Sequence, residues 1–213
     1  MKQDYLAERK LMAALQLRAR GISDRRVLEA FVSIPRHLFV PLEFRWSAYE
    51  DAPLPIGFKQ TISQPYIAAY MTQALKLTGA ERVLEVGTGS GYQAAILSAL
   101  AHEVHTVELI PALADRAARI LAELGIENVF VHVGDGSQGW DKSAPYDAIL
   151  VSAATPHLPK CLLDQLADHG RMILPIGGSG AQRLELWRRD GDAFSQEVLL
   201  PVAFVPLRGR DGV

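Results

Sequence analysis

The stretch RVLEVGTGSGYQ, residues 82–93, combines a short apolar strand, a turn with three glycines and the start of a helix. In a doubly wound sheet, the turn of such a unit lies at the carboxyl ends of the parallel strands, where ligands bind. The glycine spacing is G-x-G-x-G, not the G-x-G-x-x-G of dinucleotide-binding turns, and the sequence contains no G-x-x-x-x-G-K-[ST] phosphate loop. The turn therefore predicts a site for a ligand without phosphate groups.

The rest of the C-terminal part alternates strands and helices, which predicts an α/β fold. Short apolar strands between amphipathic helices are typical of a parallel sheet covered on both faces. Pro111 stands at the start of one predicted helix and Gly125 just past its end, in agreement with the preference of proline for helix starts and of glycine for helix ends. The predicted strands are 82–86, 103–108, 129–133, 147–151 and 171–175, and the predicted helices are 92–100, 111–124 and 159–166. An antiparallel strand pair, 184–188 and 197–205, is predicted around the turn at 190–192.

The N-terminal part reads as helices around a long irregular stretch. The pattern predicts a helix over 5–17 that stops at Gly21, and a second helix over 24–33 with Ser23 as its cap. A third helix is predicted over 65–77. Between them, residues 34–65 show no regular pattern, and a loop this long in a compact domain is usually functional or poorly ordered. We expect a single domain, residues 1–213, with N-terminal helices and an acceptor-side loop in 1–78 and a cofactor-binding core in 79–213.

Composition narrows the class of protein. Hydrophobic residues make up 49% of the 213 residues, and 22 basic against 24 acidic residues leave a net charge of -2. This near balance of basic and acidic residues does not predict binding to nucleic acid or to an anionic membrane. Cys161 is the single cysteine, and no apolar run approaches the roughly 20 residues that a membrane span needs. The start lacks the apolar block of a secretory signal, so we expect a soluble, cytoplasmic protein.

Acidic residues end three consecutive predicted strands beside the glycine turn. Glu108 follows Gly87 by 21 residues, where a carboxylate can bind both ribose hydroxyls, and Asp135 can accept from an adenine amino group. Glu85 can bind the ammonium end of an amino acid. Each acid alone could equally be a solvated carboxylate that caps the next helix. Together they predict an adenosine joined to an amino-acid moiety, which describes S-adenosylmethionine.

Several segments resemble the protein-L-isoaspartate O-methyltransferase family, over nearly the whole chain. The resemblance rests on IPRHLFVP (34–41), YED (49–51), LPIG (54–57), QTISQP (60–65), residues 83–93, GDG (134–136) and FVPL (204–207). The stretch 60–65 is its most specific part, because general methyltransferases lack it. The family's fold is the class I S-adenosylmethionine-dependent methyltransferase sheet, Rossmann-like and mostly parallel, with extra N-terminal helices.

The resemblance implies an enzyme of protein repair. Such an enzyme transfers a methyl group from S-adenosylmethionine to the α-carboxylate of L-isoaspartyl residues in damaged proteins and peptides. The methyl ester then re-forms a succinimide, and S-adenosylhomocysteine is the product. No metal, nucleic acid or membrane is implied, and a monomer is expected. Cofactor contacts are expected from Gln60, Thr61, Ile62, Glu85, Gly87, Thr88, Gly89, Gly91, Glu108, Leu109, Asp135 and Gly136.

Ser63 matches the family's active-site serine, and the chemistry agrees with that role. A carboxylate acceptor has a reference pKa near ~4, so it is ionised at neutral pH and needs no general base. A hydroxyl can orient it by one hydrogen bond, whereas a bidentate arginine would stabilise a ground-state charge that is partly lost at the transition state. We expect Thr61, Ser63 and the loop backbone to form the acceptor cradle, with an extended peptide against residues 56–63. Local sequence also favours an ordinary helix cap at Ser63, two residues before Pro65.

Other candidate residues carry weaker signals. His102 and His105 flank and enter a strand with no third ligand evident, and Cys161 falls in a predicted amphipathic helix, where packing explains it. Arg36 and His37 belong either to a lid over the substrate or to a surface turn. The fourth strand ends in SAA (152–154), not in the proline-rich turn of many enzymes that methylate amide or nucleobase nitrogens. The chain departs from the family at His169 and at Arg208. Arg208 could alter the preference for peptide substrates.

Two alternative hypotheses remain at this stage. A class I methyltransferase for a small-molecule or nucleic-acid acceptor would share every cofactor residue and differ only in the acceptor loop. A non-catalytic module that binds the cofactor would show tight binding without turnover on any carboxylate.

Overall fold

A seven-stranded sheet forms the centre of the computed structural model, which describes residues 5–178 and 180–212. The strand order is β5-β4-β3-β6-β7-β8-β9. The strands are β3 (Arg82–Val86), β4 (Glu103–Glu108), β5 (Val129–Val133), β6 (Tyr146–Val151), β7 (Leu166–Gly178), β8 (Ala181–Asp190) and β9 (Ala193–Val202). β3 to β7 pair in parallel and β7 to β9 antiparallel, so the predicted doubly wound, mostly parallel sheet is confirmed.

Six α-helices surround this sheet. They are α1 (Leu6–Leu11), α2 (Arg25–Ser33), α3 (Pro65–Ala74), α4 (Tyr92–Ser98), α5 (Pro111–Glu123) and α6 (Lys160–Asp164). Residues of the N-terminal helices, among them Leu17 and Phe31, join one hydrophobic cluster with Ile96 of α4 and Leu150 of β6. None of the helices in the described ranges is long and apolar enough to cross a membrane.

The order of the strands places the site. β3 lies between β4 and β6, so the chain runs outward from β3 in one direction through β4 and β5 and in the other through β6 and β7. The direction of winding reverses at β3, and the crevice at the carboxyl end of such a reversal is the ligand site of open α/β sheets. The glycine turn follows β3 directly and therefore stands in this crevice.

The C-terminal strands are longer than predicted. β7 begins at Leu166, within the predicted helix over 159–166, and that helix is the shorter α6. β8 and β9 extend the predicted strand pair at their turn, although β9 ends at Val202 and not at 205. Since β9 is an edge strand with mostly exposed side chains, it shows little of the apolar alternation from which strand ends can be read.

The first two helices begin and end near their predicted positions, with one correction. α1 continues as a π-helical stretch, Met12–Leu17, and a 3₁₀ turn, Arg18–Arg20, that ends at Gly21 with a φ of 95°. The cap of α2 is Asp24, whose carboxylate accepts hydrogen bonds from the N–H groups of residues 26 and 27. The prediction of Ser23 as this cap is therefore wrong. The backbone N–H of Ser23 donates instead to Gln73 Oε1 at 2.7 Å.

The stretch 34–64 is more regular than the sequence suggests. It contains two 3₁₀ helices, Arg36–Phe39 and Leu42–Ser47, and a hairpin of β1 (Leu54–Gly57) and β2 (Gln60–Ile62). The strands have only four and three residues, and Pro55 interrupts the first, so neither produces a strand pattern in the sequence. The predicted irregular loop is instead an ordered cover beside the sheet.

The helix after this hairpin, α3, has no side-chain cap of its own. Its N-cap position is Gln64, with no capping hydrogen bond from that side chain, and the prediction of Ser63 as the cap is wrong. The helix ends at Ala74, three residues before its predicted end, and Leu75 is its C-cap. Among the apolar side chains of this segment, Met71 and Leu75 are buried, whereas Ile67, Tyr70 and Ala74 are partly buried.

Candidate active site

A cavity lies in the crevice at the carboxyl ends of β3, β4 and β6 and collects most of the residues predicted from sequence. Gly91 and Asp135 are the two predicted residues that do not line it. The predicted residues on its wall are Gln60, Thr61, Ile62, Ser63, Glu85, Gly87, Thr88, Gly89, Glu108, Leu109 and Gly136. Residues separated by more than 70 positions in the chain thus surround one space.

The glycine turn bends the chain sharply into α4. Gly87, Gly89 and Gly91 have φ values of 93°, 53° and 87°, which residues with a Cβ rarely adopt. Gly91 also lies where α4 and α5 meet, since a Cβ there would stand 2.9 Å from the Cβ of Ala117. Gly91 therefore allows the turn to pack closely against α5, and its predicted contact with the cofactor stays a prediction.

Glu85 is a fully buried carboxylate on the cavity wall. Thr106 Oγ1 donates to its Oε2 at 2.6 Å, and Oε1 has no hydrogen-bond partner within the described part of the chain. Burial raises the pKa of Glu85 to about 8, with a smaller upward contribution from the charge of Glu108, against the lowering effect of the bond from Thr106. An unpaired buried acid at a cavity is suited to a cationic ligand group.

Glu108 ends β4 and is held by the turn that it faces. Its Oε2 accepts from the N–H of Gly89 at 2.8 Å, and its Oε1 accepts from the N–H of Ile110 at 3.0 Å. Both oxygens keep a further acceptor position, because a carboxylate oxygen carries two lone pairs. The side chain is fixed toward the cavity and can accept from two neighbouring hydroxyls of a ligand.

Both carboxylate oxygens of Asp135 accept hydrogen bonds from other residues of the chain. Its Oδ1 accepts from the N–H and the hydroxyl of Ser137, and its Oδ2 accepts from the N–H of Arg210 at 2.8 Å. Partial burial favours the neutral acid, but these hydrogen bonds outweigh it and hold the pKa of Asp135 below its usual range. The C-terminal segment of residues 208–211 lies over this carboxylate, while the neighbouring Gly136 lines the cavity. Binding of an adenine by Asp135 therefore stays a prediction.

The hairpin of β1 and β2 covers the glycine turn. The side chain of Ile56 is fully buried, and its Cδ1 lies 3.4 Å from the position of a Cβ at Gly89. Arg116 of α5 donates to the backbone oxygen of Ile56 at 2.7 Å and ties the hairpin to the core. This contact places Gln60, Thr61 and Ile62 on the cavity wall opposite Glu85 and explains why the least regular stretch of sequence belongs to the site.

Ser63 stands where the first cavity meets a second one. Both cavities are lined by Thr61, Ser63, Ser152 and Val205. The walls of the second cavity are completed by Pro53, Gln64, Ile67 and residues 201–204. Ser63 is partly buried, and within the described ranges its hydroxyl has no hydrogen bond to the protein. The hydroxyl is therefore available to a ligand that spans the two cavities.

Sequence reasoning missed several cavity residues. Ser152 follows β6, its N–H donates to the oxygen of Val86 at 2.8 Å, and it faces Gly87. Ile110 and Ser90 also line the cavity. Their signal was available, because each follows the carboxyl end of a parallel strand, where side chains converge. Arg208, noted as a departure from the family, lies on the same wall.

The weaker candidates lie away from this cavity or are engaged elsewhere. His105 Nδ1 lies 2.9 Å from His132 Nε2, and the two rings stack, so His105 belongs to an aromatic group on the sheet. Burial and the neighbouring Asp211 raise the pKa of the Cys161 thiol to about 11, which leaves no thiolate at neutral pH. Arg36 is fully buried and is not part of a surface turn.

The donors and acceptors of the cavity fit S-adenosylmethionine. The unpaired Oε1 of Glu85 fits an amino-acid ammonium group, which can donate to it. The two oxygens of Glu108 fit a pair of ribose hydroxyls. Nothing in the cavity wall resembles a phosphate cradle of successive lysine and glycine residues, in agreement with the glycine spacing.

Comparison with known proteins gives one consistent family. The family model of protein-L-isoaspartate(D-aspartate) O-methyltransferase matches residues 7–212. A protein-L-isoaspartate O-methyltransferase 1 of Rhodopseudomonas palustris is 54% identical over 98% of this chain and 86% of its own length. A protein-L-isoaspartate O-methyltransferase of Roseiflexus castenholzii is also 54% identical, over 97% of this chain and 94% of its own.

Solved structures agree with this fold. A protein-L-isoaspartate O-methyltransferase superposes with a TM-score of 0.83 at 32% identity, over 96% of this chain and 66% of that one. A second structure, from Plasmodium falciparum, is described as a putative member of the same group in complex with S-adenosyl-L-homocysteine. It superposes with a TM-score of 0.81 at 24% identity, over 94% of this chain and 98% of that one, which supports the fold.

Proposed function

The chain belongs to the protein-L-isoaspartate(D-aspartate) O-methyltransferase family and methylates L-isoaspartyl residues of proteins with S-adenosylmethionine, and we propose which of its residues bind the cofactor and which orient the acceptor. The observation that carries the proposal is the free hydroxyl of Ser63 at the junction of the two cavities. The first cavity takes the cofactor, and the second takes the acceptor peptide.

The acids hold the cofactor. Glu85 binds its ammonium group, Glu108 its ribose hydroxyls, and Gly136 with Asp135 the adenine. The backbone of Gly87, Thr88 and Gly89 and the hairpin residues Gln60, Thr61 and Ile62 close around it. Gly91 completes the glycine turn, and Leu109 contributes from the end of β4. When bound, S-adenosylmethionine supplies an electrophilic methyl group.

Ser63 orients the acceptor. The isoaspartyl α-carboxylate is ionised at neutral pH and is itself the nucleophile, so the protein needs no base to remove a proton. The hydroxyl of Ser63 donates one hydrogen bond to this carboxylate and points its second oxygen toward the methyl group. A single neutral donor orients the oxygen without strongly stabilising the charge that is dispersed in the transition state.

The second cavity accepts an extended peptide. Its walls are mostly apolar, and Pro53, Ile67 and Pro201 are among the lining residues. Such walls offer shape but few charged partners, which suits an enzyme that must accept many damaged sequences. Arg208, an exposed residue that lines the first cavity, favours substrates with acidic neighbours of the isoaspartyl residue. No property of the cavity favours a small-molecule acceptor over a peptide.

We also propose that residues 1–213 act as one domain, as a monomer in the cytoplasm, without nucleic acid or membrane as a partner. The N-terminal helices share a hydrophobic cluster with the sheet, which supports one folding unit. The net charge of -2 supports the absence of a nucleic-acid partner.

A pair of matched peptides tests the function. The purified protein is incubated with methyl-labelled S-adenosylmethionine and a peptide that contains either L-isoaspartate or L-aspartate at one position. We expect base-labile label on the isoaspartyl peptide alone. Equal labelling of both peptides, or of neither while S-adenosylhomocysteine still binds, would contradict the assigned acceptor.

A further inference from the structure

The N-terminus of α3, next to Ser63, is capped from a distant part of the chain. Asp51 Oδ1 accepts from the N–H of Tyr66 at 3.0 Å, and Asp51 Oδ2 accepts from Gln64 Nε2 at 2.7 Å. A carboxylate at this position satisfies a free N–H group and interacts favourably with the helix dipole. Because Asp51 supplies the cap, the hydroxyl of Ser63 is not drawn toward the helix.

Asp51 is itself held in place from both sides. Its carboxylate forms an ion pair with Arg20, whose guanidinium lies 3.5 Å from the ring centre of Tyr66. The fully buried Arg36 donates to the backbone oxygens of Ala48 and Ala52, which flank Asp51, at 2.8 and 3.3 Å. The Asp51 side chain is 20% exposed and that of Arg20 is 45% exposed, so the carboxylate is the better shielded partner of a pair that reaches the surface. These contacts together fix the position of the Asp51 carboxylate.

The same short segment fixes the other end of the Ser63 loop, which we define as residues 63 and 64 between β2 and α3. Three residues after Asp51, Leu54 begins β1 and pairs with Ile62, the last residue of β2. Ile62 immediately precedes Ser63, and Tyr66 follows it by three residues. Residues 51–54 therefore hold the loop at its entry through the hairpin and at its exit through the helix cap.

We propose that Asp51 is a positioning residue of the methyl transfer, which sets the Ser63 hydroxyl toward the acceptor by capping α3. This inference rests on the role of Ser63 in the proposed function. Asp51 lines neither of the two cavities, so it acts through the position of the loop. Since misplacing a reacting group by about 1 Å can cost on the order of 100-fold in rate, a loosened cap should be visible in turnover.

The test compares Asp51→Ala and Asp51→Asn with a matched control, Glu50→Gln. Glu50 is the exposed neighbour, and within the described residues its side chain makes no hydrogen bond. We expect Asp51→Ala to lower kcat on the isoaspartyl peptide by about 10- to 100-fold and to leave S-adenosylhomocysteine affinity within about twofold. Asp51→Asn keeps an oxygen for the Tyr66 N–H but loses the ion pair, so its kcat should fall by an intermediate factor of about 3 to 10. Glu50→Gln should behave as the unmodified protein.

A double-mutant cycle separates this inference from the proposed function. If Asp51 acts through Ser63, Asp51→Ala should reduce kcat by no more than about twofold in a Ser63→Ala background. A full reduction in that background, a wild-type kcat for Asp51→Ala, or a cofactor affinity that falls in step would overturn the inference. If Asp51→Ala does not fold, a wild-type kcat for a folded Asp51→Asn overturns it equally. Unchanged turnover of Ser63→Ala would instead remove the proposed role of Ser63, and the inference with it.

Discussion

Thr106 donates a 2.6 Å hydrogen bond to Glu85, and this bond reaches only one of the two buried carboxylate oxygens. The Thr106 hydroxyl lies in turn 2.6 Å from the hydroxyl of Thr88, in the glycine turn. The acid that is proposed to hold the cofactor's ammonium group is thus oriented in advance, while its second oxygen has no partner within the described residues. Burial raises its pKa to about 8, so in the free protein at neutral pH it is mainly the uncharged acid.

Cofactor binding should release a proton near neutral pH. The ammonium group favours the ionised form of Glu85, so a proton must leave the site when the cofactor enters below a pH of about 8. We expect S-adenosylmethionine affinity to rise between pH 6 and pH 8 and then to level off. Titration calorimetry at pH 6.5 in two buffers of different ionisation enthalpy measures the released proton. Binding with no proton exchange would contradict the prediction.

The same acid should affect the stability of the free protein. The folded-state pKa of Glu85 lies above the reference value of 4.5, so between these two values the folded state holds a proton that the unfolded state has lost. Its contribution to the free energy of unfolding therefore falls as pH rises from 4.5 toward 8. Glu85→Gln removes this titration, and urea unfolding at pH 6 and pH 8 should show the variant gaining stability relative to the unmodified protein at the higher pH.

Gly91→Ala should destabilise the protein more than Gly125→Ala. Both glycines have positive φ, 87° and 68°, but a Cβ at residue 91 would meet Ala117 at 2.9 Å, whereas residue 125 has open space. We expect losses of about 2–4 kcal/mol at residue 91 and about 1 kcal/mol at residue 125 in the free energy of unfolding. Chemical denaturation measures both. Equal losses would show that backbone strain alone matters and that the contact with α5 does not.

Gly209→Ala should release the C-terminal segment from Asp135. A Cβ at this residue would lie 1.9 Å from Asp135 Oδ1, and the φ of 139° is unfavourable for alanine. We expect trypsin to cleave after Arg208 and Arg210 roughly tenfold faster in this variant, because the released segment is more accessible. Mass spectrometry measures the loss of the last residues. Gly180→Ala, where a Cβ has open space, is the control and should be cleaved at the unmodified rate.

Asp24→Ala should cost stability that Ser23→Ala does not. The Asp24 carboxylate accepts from the N–H groups at the start of α2, at 2.8 and 3.4 Å, whereas Ser23 is bound to Gln73 through its backbone. Loss of a helix cap costs about 1 kcal/mol, so we expect that decrease for Asp24→Ala and almost none for Ser23→Ala. Thermal and urea unfolding of both variants measure it. The reverse order would restore Ser23 as the cap.

Most of the parallel sheet could be predicted from the sequence because its strands are buried on both faces. β3 and β4 begin and end where expected, because short strands of mostly buried residues are bounded by turns at both ends. Edge strand β9 and the hairpin of β1 and β2 could not be delimited, because exposed or very short strands lack a periodic signal. The positions of Glu85 and Glu108 on the cavity were predictable for the same reason as the strands, since each residue holds a defined place in a parallel strand.

The sequence by itself determined the fold class, the chemistry of the cofactor site and the family, because these depend on local patterns and on residue types at strand ends. Tertiary structure decided which groups are free to act. Local spacing assigned the caps of α2 and α3 to Ser23 and Ser63, yet Asp24 and the distant Asp51 provide them, and Asp135 is covered by the C-terminal segment. A hydrogen bond is made to whichever group the folded chain brings within reach, and contacts between residues far apart in sequence leave no mark in a local pattern. The availability of the Ser63 hydroxyl is therefore a property of the folded protein.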